Sequence, residues 1–228
     1  MLCRRALICC LVLASALFAA AETHYKAHIS VGAHGGIGLS KVSFAPSVKQ
    51  SWANGLTGGI SVRYAEERHV GVLAELNFVQ RGWKENFEEA PLDYTRTLNY
   101  ISLPIMTHIY FGSRRVKCFF NLGPEFSYMI SESTSANFDY NDPLSSPDWP
   151  QKARMTEQLA TPVHNKFDYG ICAGFGVEFY LRPRHSAYLE ARYYYGLGNI
   201  FPSSKADTFG ASRNMTLAVT LGYNFRLR

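Results

Sequence analysis

The sequence is short of charge, of cysteine and of long hydrophobic runs. Only 18% of its 228 residues are charged, against roughly 25% in an ordinary soluble domain, so a fully solvated surface is not expected. Of the 5 cysteines, Cys3, Cys9 and Cys10 fall in the first ten residues, leaving Cys118 and Cys172. Two cysteines exclude a disulfide framework, although not a single bridge. Past residue 21 no stretch approaches 18 apolar residues, so no transmembrane helix is expected there. A sustained helical period is missing as well.

What is present begins with an export signal. Arg4 and Arg5 precede an apolar run over 6–18, and Ala19, Ala20 and Ala21 form a small-residue cleavage site before Glu22. These features predict a signal peptide over 1–21 and a single mature domain over 22–228. Removing Arg4 and Arg5 from 23 basic residues leaves 21 against 18 acids, a net charge of +3 for the mature chain. So mild a balance argues against a nucleic-acid partner.

The mature chain alternates with period two. Its last segment puts Met215, Leu217, Val219, Leu221, Tyr223, Phe225 and Leu227 on one face, with Asn214, Thr216, Ala218, Thr220, Gly222, Asn224 and Arg226 on the other. A strand with one apolar and one small or polar face follows. The same pattern recurs from Ile29, Val31 and Ile37 through to Leu189, Ala191 and Tyr193, for eight strands in all. Short connections (66–69, 112–115, 182–186) alternate with long ones (41–54, 85–94, 132–165, 197–211), as in an all-β, eight-stranded antiparallel up-and-down barrel.

Which face meets solvent decides the class. A secreted lipocalin-like barrel would be charged outside and apolar within. Here the second face is mainly Gly, Ser, Asn and Thr, a poor solvent surface but a good filling for a narrow barrel. Aromatics at strand ends (Tyr64, Phe78, Phe111, Tyr128, Phe167, Phe179, Tyr223, Phe225) suit interfacial girdles. A transmembrane β-barrel in the outer membrane is therefore expected.

The inner face then carries Arg63, Glu75, Arg81, Lys117, Glu125, Glu178, Glu190 and Arg192. Eight strands enclose only room for side chains, and buried charges must be paired, so these are expected to form a structural plug. Taking 183–185 as the turn sets Glu178 opposite Glu190. Two facing carboxylates require a bridging cation, and Arg192, Arg63 or Arg81 are the candidates.

Catalysis finds little support. The seven histidines are scattered, with no H-E-x-x-H and no close Ser and Asp partners. No cofactor and no metal are expected, His24 and His28 being a weak pair near the mature terminus. The glycines at 35, 36, 38, 174 and 176 open no helix, so they are read as relief of crowding inside the barrel. Cys118 and Cys172 fall on opposite faces. The segment 132–165, with Phe138, Tyr140 and Trp149 among four prolines, is too long for a mere connection and is a candidate surface recognition loop.

Six segments in order, 32–41 (GAHGGIGLSK), 75–82 (ELNFVQRG), 98–104 (LNYISLP), 121–125 (NLGPE), 189–193 (LEARY) and 221–225 (LGYNF), resemble the outer membrane protein beta-barrel domain family of Bacteroides-type bacteria, often labelled PorT-like. The resemblance implies an eight-stranded outer-membrane barrel, some of whose relatives serve a secretion apparatus. Ser102 stands where the family often carries an acid, and Arg226, Leu227 and Arg228 follow the aromatic Phe225. The expected role is a non-enzymatic structural or adhesion-type envelope component. An accessory subunit of a secretion or assembly machine is the alternative, and a barrel enzyme or lipocalin-like binder a lesser one. The expected partners are outer-membrane lipid, the barrel-assembly machinery and possible envelope or secretion proteins, with the chain itself a monomer.

Overall fold

A computed structural model describes residues 27–65, 69–87, 90–150, 154–204 and 207–227. The expected signal peptide, its cleavage site and His24 lie outside the described residues, as does most of the first short turn. Nine strands run β1 (His28–Ala45), β2 (Gln50–Ser51), β3 (Ala53–Ala65), β4 (Val70–Glu85), β5 (Tyr94–Gly112), β6 (Val116–Ala136), β7 (Phe167–Arg182), β8 (His185–Gly196) and β9 (Ala211–Arg226), with one short helix, α1 (Glu157–Ala160), in the longest loop. The two-residue β2 only borders β4 at the rim. The other eight strands form the wall.

That wall closes because β1 pairs with both β3 and β9, with Leu39 opposite Leu217, Ile37 opposite Val219 and Val31 opposite Phe225. Every remaining strand pairs antiparallel with its neighbour in sequence. Among the described residues closure leaves none of the eight wall strands at an open edge, the condition for a sheet to cross lipid.

The polarity of the wall is inverted relative to a soluble domain. Leu221 is 65% exposed and Leu56 61%, whereas Glu178 on the inner face is 1% exposed and Glu75 2%. Such a surface is stable only against hydrocarbon. Tyr64, Phe111, Phe179 and Tyr223 ring the short-turn end, and Phe78, Tyr128 and Phe167 ring the long-loop end. From Phe111 to Ile101, which is the partner of Tyr128, is ten residues of β5. At about 3.3 Å per residue and a tilt of about 40°, that spans about 25 Å, the height of a barrel's apolar band.

Two register shifts alter the reading from alternation alone. Asn99 pairs with Ser131 but Tyr100 with Met129, so Ile130 has no opposite residue. This bulge moves the inner face of β6 from odd positions to even ones above it, and so brings Glu132 inward. A second shift skips Leu181, with Tyr180 opposite Ser186 and Arg182 opposite His185. The glycines of the inner face make room where side chains cross the lumen: a Cβ on Gly176 would collide with the Phe119 ring, and one on Gly222 with the Tyr188 ring.

If lipid is the outer solvent, a charge on Val219, midway along β9, should cost about 2–4 kcal/mol. The same change at Leu144, exposed in the longest loop, should cost under about 0.5 kcal/mol. Denaturant unfolding of Val219→Arg and Leu144→Arg in lipid vesicles measures both; equal costs would contradict a lipid-facing wall.

Candidate functional site

The structure places all eight of the predicted interior charges inside the barrel, in three tiers. Nearest the short turns, the Arg63 guanidinium donates from Nη1 to both Glu178 oxygens, at 2.9 and 3.1 Å. Ser186 (2.6 Å) and Asn224 (3.2 Å) also donate to Glu178. Lys117 lies in this tier, its ammonium 4.4 Å from the Tyr110 ring centre and 5.0 Å from that of Tyr180.

In the middle tier one guanidinium serves two carboxylates. Arg192 donates to Glu75 at 2.5 and 2.9 Å and to Glu190 at 2.8 and 3.1 Å. Asn77 donates to Glu75 and Asn121 to Glu190. The upper tier repeats the arrangement, since Arg81 pairs with Glu125 and, at 3.2 Å, with Asp168. Its guanidinium carbon also sits 3.8 Å from the centre of the Tyr194 ring. Each carboxylate therefore enters the low-dielectric interior already matched by a cation and by neutral donors, as burial of charge demands.

Above these tiers the long loops fold into the mouth. Phe44 meets Trp83 edge-on at 5.5 Å and stacks on Phe201 at 5.9 Å, with Phe209 at 5.0 Å. Arg96 pairs with Glu132 at 2.8 Å and donates to the Thr161 carbonyl at 2.7 Å. Arg154 pairs with Glu85 at 2.7 Å, and Gln158 donates to the same carboxylate. Tyr94 donates its hydroxyl proton to the Leu159 carbonyl at 2.7 Å. Trp83, Leu159 and Gln158 are fully buried, so α1 acts as a stopper in the outer mouth.

Two expectations are corrected. Glu178 does not face Glu190: it pairs with Tyr188, and Glu190 with Gly176, because the turn is 183–184, one residue shorter than the expected 183–185, and Leu181 is then skipped. No single arginine bridges the two, since Arg63 takes Glu178 while Arg192 joins Glu190 to Glu75. The second correction concerns Phe138, Tyr140 and Trp149, which are half-buried and packed into the cap rather than standing free. Phe87 contacts Phe138 at 5.7 Å and Trp149 at 5.8 Å, and Tyr94 meets Tyr140 at 6.1 Å. The burial gained by these rings outweighs leaving them in water.

Sequence reading missed Asp168, which alternation placed inside but the charge list omitted. It also missed Glu85, Arg96, Glu132, Arg154 and Gln158 of the cap, for which only the bulge at Ile130 and the loop's path supply the signal. Ser102 is buried, opposite Asn77 and Ser127, and Glu125 and Asp168 supply the acids near it. Cys118 and Cys172 are free thiols. Among the described residues no group of three His, Cys, Asp or Glu side chains could hold a metal ion. His108, the most buried histidine, contacts Asn121 and the rings of Tyr110 and Phe119, not a nucleophile.

Removing Arg192 leaves Glu75 and Glu190 facing each other without their cation. Arg192→Met should destabilise the barrel by about 3–5 kcal/mol, and adding Glu75→Gln and Glu190→Gln should recover part of that loss. Urea midpoints of the single and triple variants decide it; a triple variant less stable than the single would refute the pairing.

OprG, an outer membrane protein of Pseudomonas aeruginosa, shares 10% identity at a TM-score of 0.55, over 90% of this chain and 98% of its own. Ail, the attachment invasion locus protein of Yersinia pestis, solved with the heparin analogue sucrose octasulfate, shares 13% identity at a TM-score of 0.41, over 87% and 99%. The outer membrane enzyme PagL shares 10% at a TM-score of 0.39, over 86% and 98%. At such identities OprG speaks for the fold alone. No curated protein matches the chain. The model of the outer membrane protein beta-barrel domain matches residues 19–202, and with the closed eight-stranded ring, the lipid-facing belt and the charged interior in view, the chain belongs to that family and resides in the outer membrane.

Proposed function

We propose that this barrel is a non-enzymatic interaction component of the envelope, working through its folded outer cap rather than through a pore. The observation that carries this reading is the double obstruction: three tiers of paired charges fill the lumen, and α1 with its aromatic neighbours closes the mouth. What remains for a partner is the outside of the cap. There Asp139, Asp142, Leu144 and Asp148 are exposed, three acids and one large apolar side chain within ten residues of one loop, a surface available to a partner. Phe138, Tyr140 and Trp149 shape that surface from beneath.

The secretion-type role of PorT-like relatives is the second reading, and it would use the short-turn end, where arginines cluster. Export through cleavage after Ala21 is part of the proposal, and the intact mass of the purified chain should start at Glu22. In-cell crosslinking with mass spectrometry separates the two roles. Links from the cap to a surface or host molecule support the first, and a stoichiometric periplasmic partner on the turns would replace it by the second.

The obstruction is testable directly. In planar bilayers the barrel should show no stable open state, and replacing 137–165 by a short flexible linker should leave it non-conducting, because the three tiers persist. Steady conductance from the linker variant would sink the filled-lumen reading.

A further inference from the structure

At the short-turn end the lumen opens into a recess of about 610 Å³ between the β5–β6 turn, the β7–β8 turn and the end of β9. Its walls carry Arg114, Lys117, Arg182 and Arg226, with the rings of Tyr110 and Tyr180 between them, and no Asp or Glu is among its described lining residues. Among the described residues none of these four cations has a carboxylate within 4.0 Å. The next carboxylate inward, Glu178, is committed to Arg63, Ser186 and Asn224. Among the described residues Lys117 is thus the one predicted interior charge with no ion pair, and it rests on two tyrosine faces.

We propose that this recess is a binding site for a phosphate group. Four cations converge on a concavity with low-dielectric walls, which focuses a positive potential on whatever enters. Arginine forks match the oxygens of a phosphate, and a lysine supplies a point charge at the base. The lip carries Phe111 and Leu181, both exposed on the lipid side of the wall. The recess therefore borders the membrane surface as well as the aqueous side, so the phosphate can arrive on a lipid headgroup or as a free anion. The volume is ample for a phosphate with its glycerol.

The test uses the mature full-length barrel. In nanodiscs of equal phosphatidylglycerol and phosphatidylcholine, native mass spectrometry should find phosphatidylglycerol retained about tenfold over phosphatidylcholine. In zwitterionic micelles, inorganic phosphate should give saturable NMR shifts at the 112–117 turn if the free anion is the occupant. Lipid preference without phosphate shifts assigns the site to a headgroup, and the reverse to a soluble phosphate; either supports the site. Arg114→Gln with Arg182→Gln, both exposed at the short-turn end, should cut whichever signal is seen by about tenfold, equivalent to about 1.4 kcal/mol. Lys117→Met should do the same, and should it fail to fold the turn variant still decides. No lipid preference and no phosphate shifts, or equal signals from wild type and the turn variant, would overturn the proposal.

Discussion

Everything in this molecule answers to one constraint: in hydrocarbon, a backbone N–H or C=O has no water to bond. The pairing of β1 with β9 removes the last open edge and so makes the sheet viable in lipid. It also turns the chain inside out. Apolar side chains face the bilayer, and the charges that the strands carry within the apolar belt must fit into a space only wide enough for side chains. The tiered pairing of Arg63, Arg192 and Arg81 with five carboxylates follows from that confinement rather than from any catalytic demand.

The two ends resolve the same constraint differently. At the long-loop end the strands outrun the apolar belt, and the projecting parts of β5 and β6 need a core of their own. Loop and strand supply it together: Phe201 and Phe209 of the last long loop pack on Phe44 of β1 and Trp83 of β4 over the lumen, while Arg96 and Arg154 tie α1 to the wall. At the short-turn end no described loop covers the mouth, and among the described residues that line the recess there are cations and no acids. Among the described residues the interior is thus matched in charge through its middle and cationic at one exit.

Much of this was legible in the sequence because strand periodicity is a local property. With side chains alternating at every residue, the inner and outer faces of all eight strands could be sorted without knowing which strand lay beside which. The eight interior charges were found this way, as were the alternating loop lengths and the opposite faces of Cys118 and Cys172. The cap was not legible. Phe138 and Trp149 look like exposed anchors in sequence, until the loop's path brings them and Arg154 over Phe87.

The sequence by itself determined which side chains share a face and the polarity of each face, since a polar or apolar side chain carries its transfer free energy wherever the strand goes. Only the tertiary structure decided the partners. Pairing depends on register, and two skipped residues, Ile130 and Leu181, reset it in ways no alternation records. One brought Glu132 inward to Arg96. The other set Glu178 opposite Tyr188, and closure of the ring then brought Arg63 across the lumen from a strand 115 residues away in sequence.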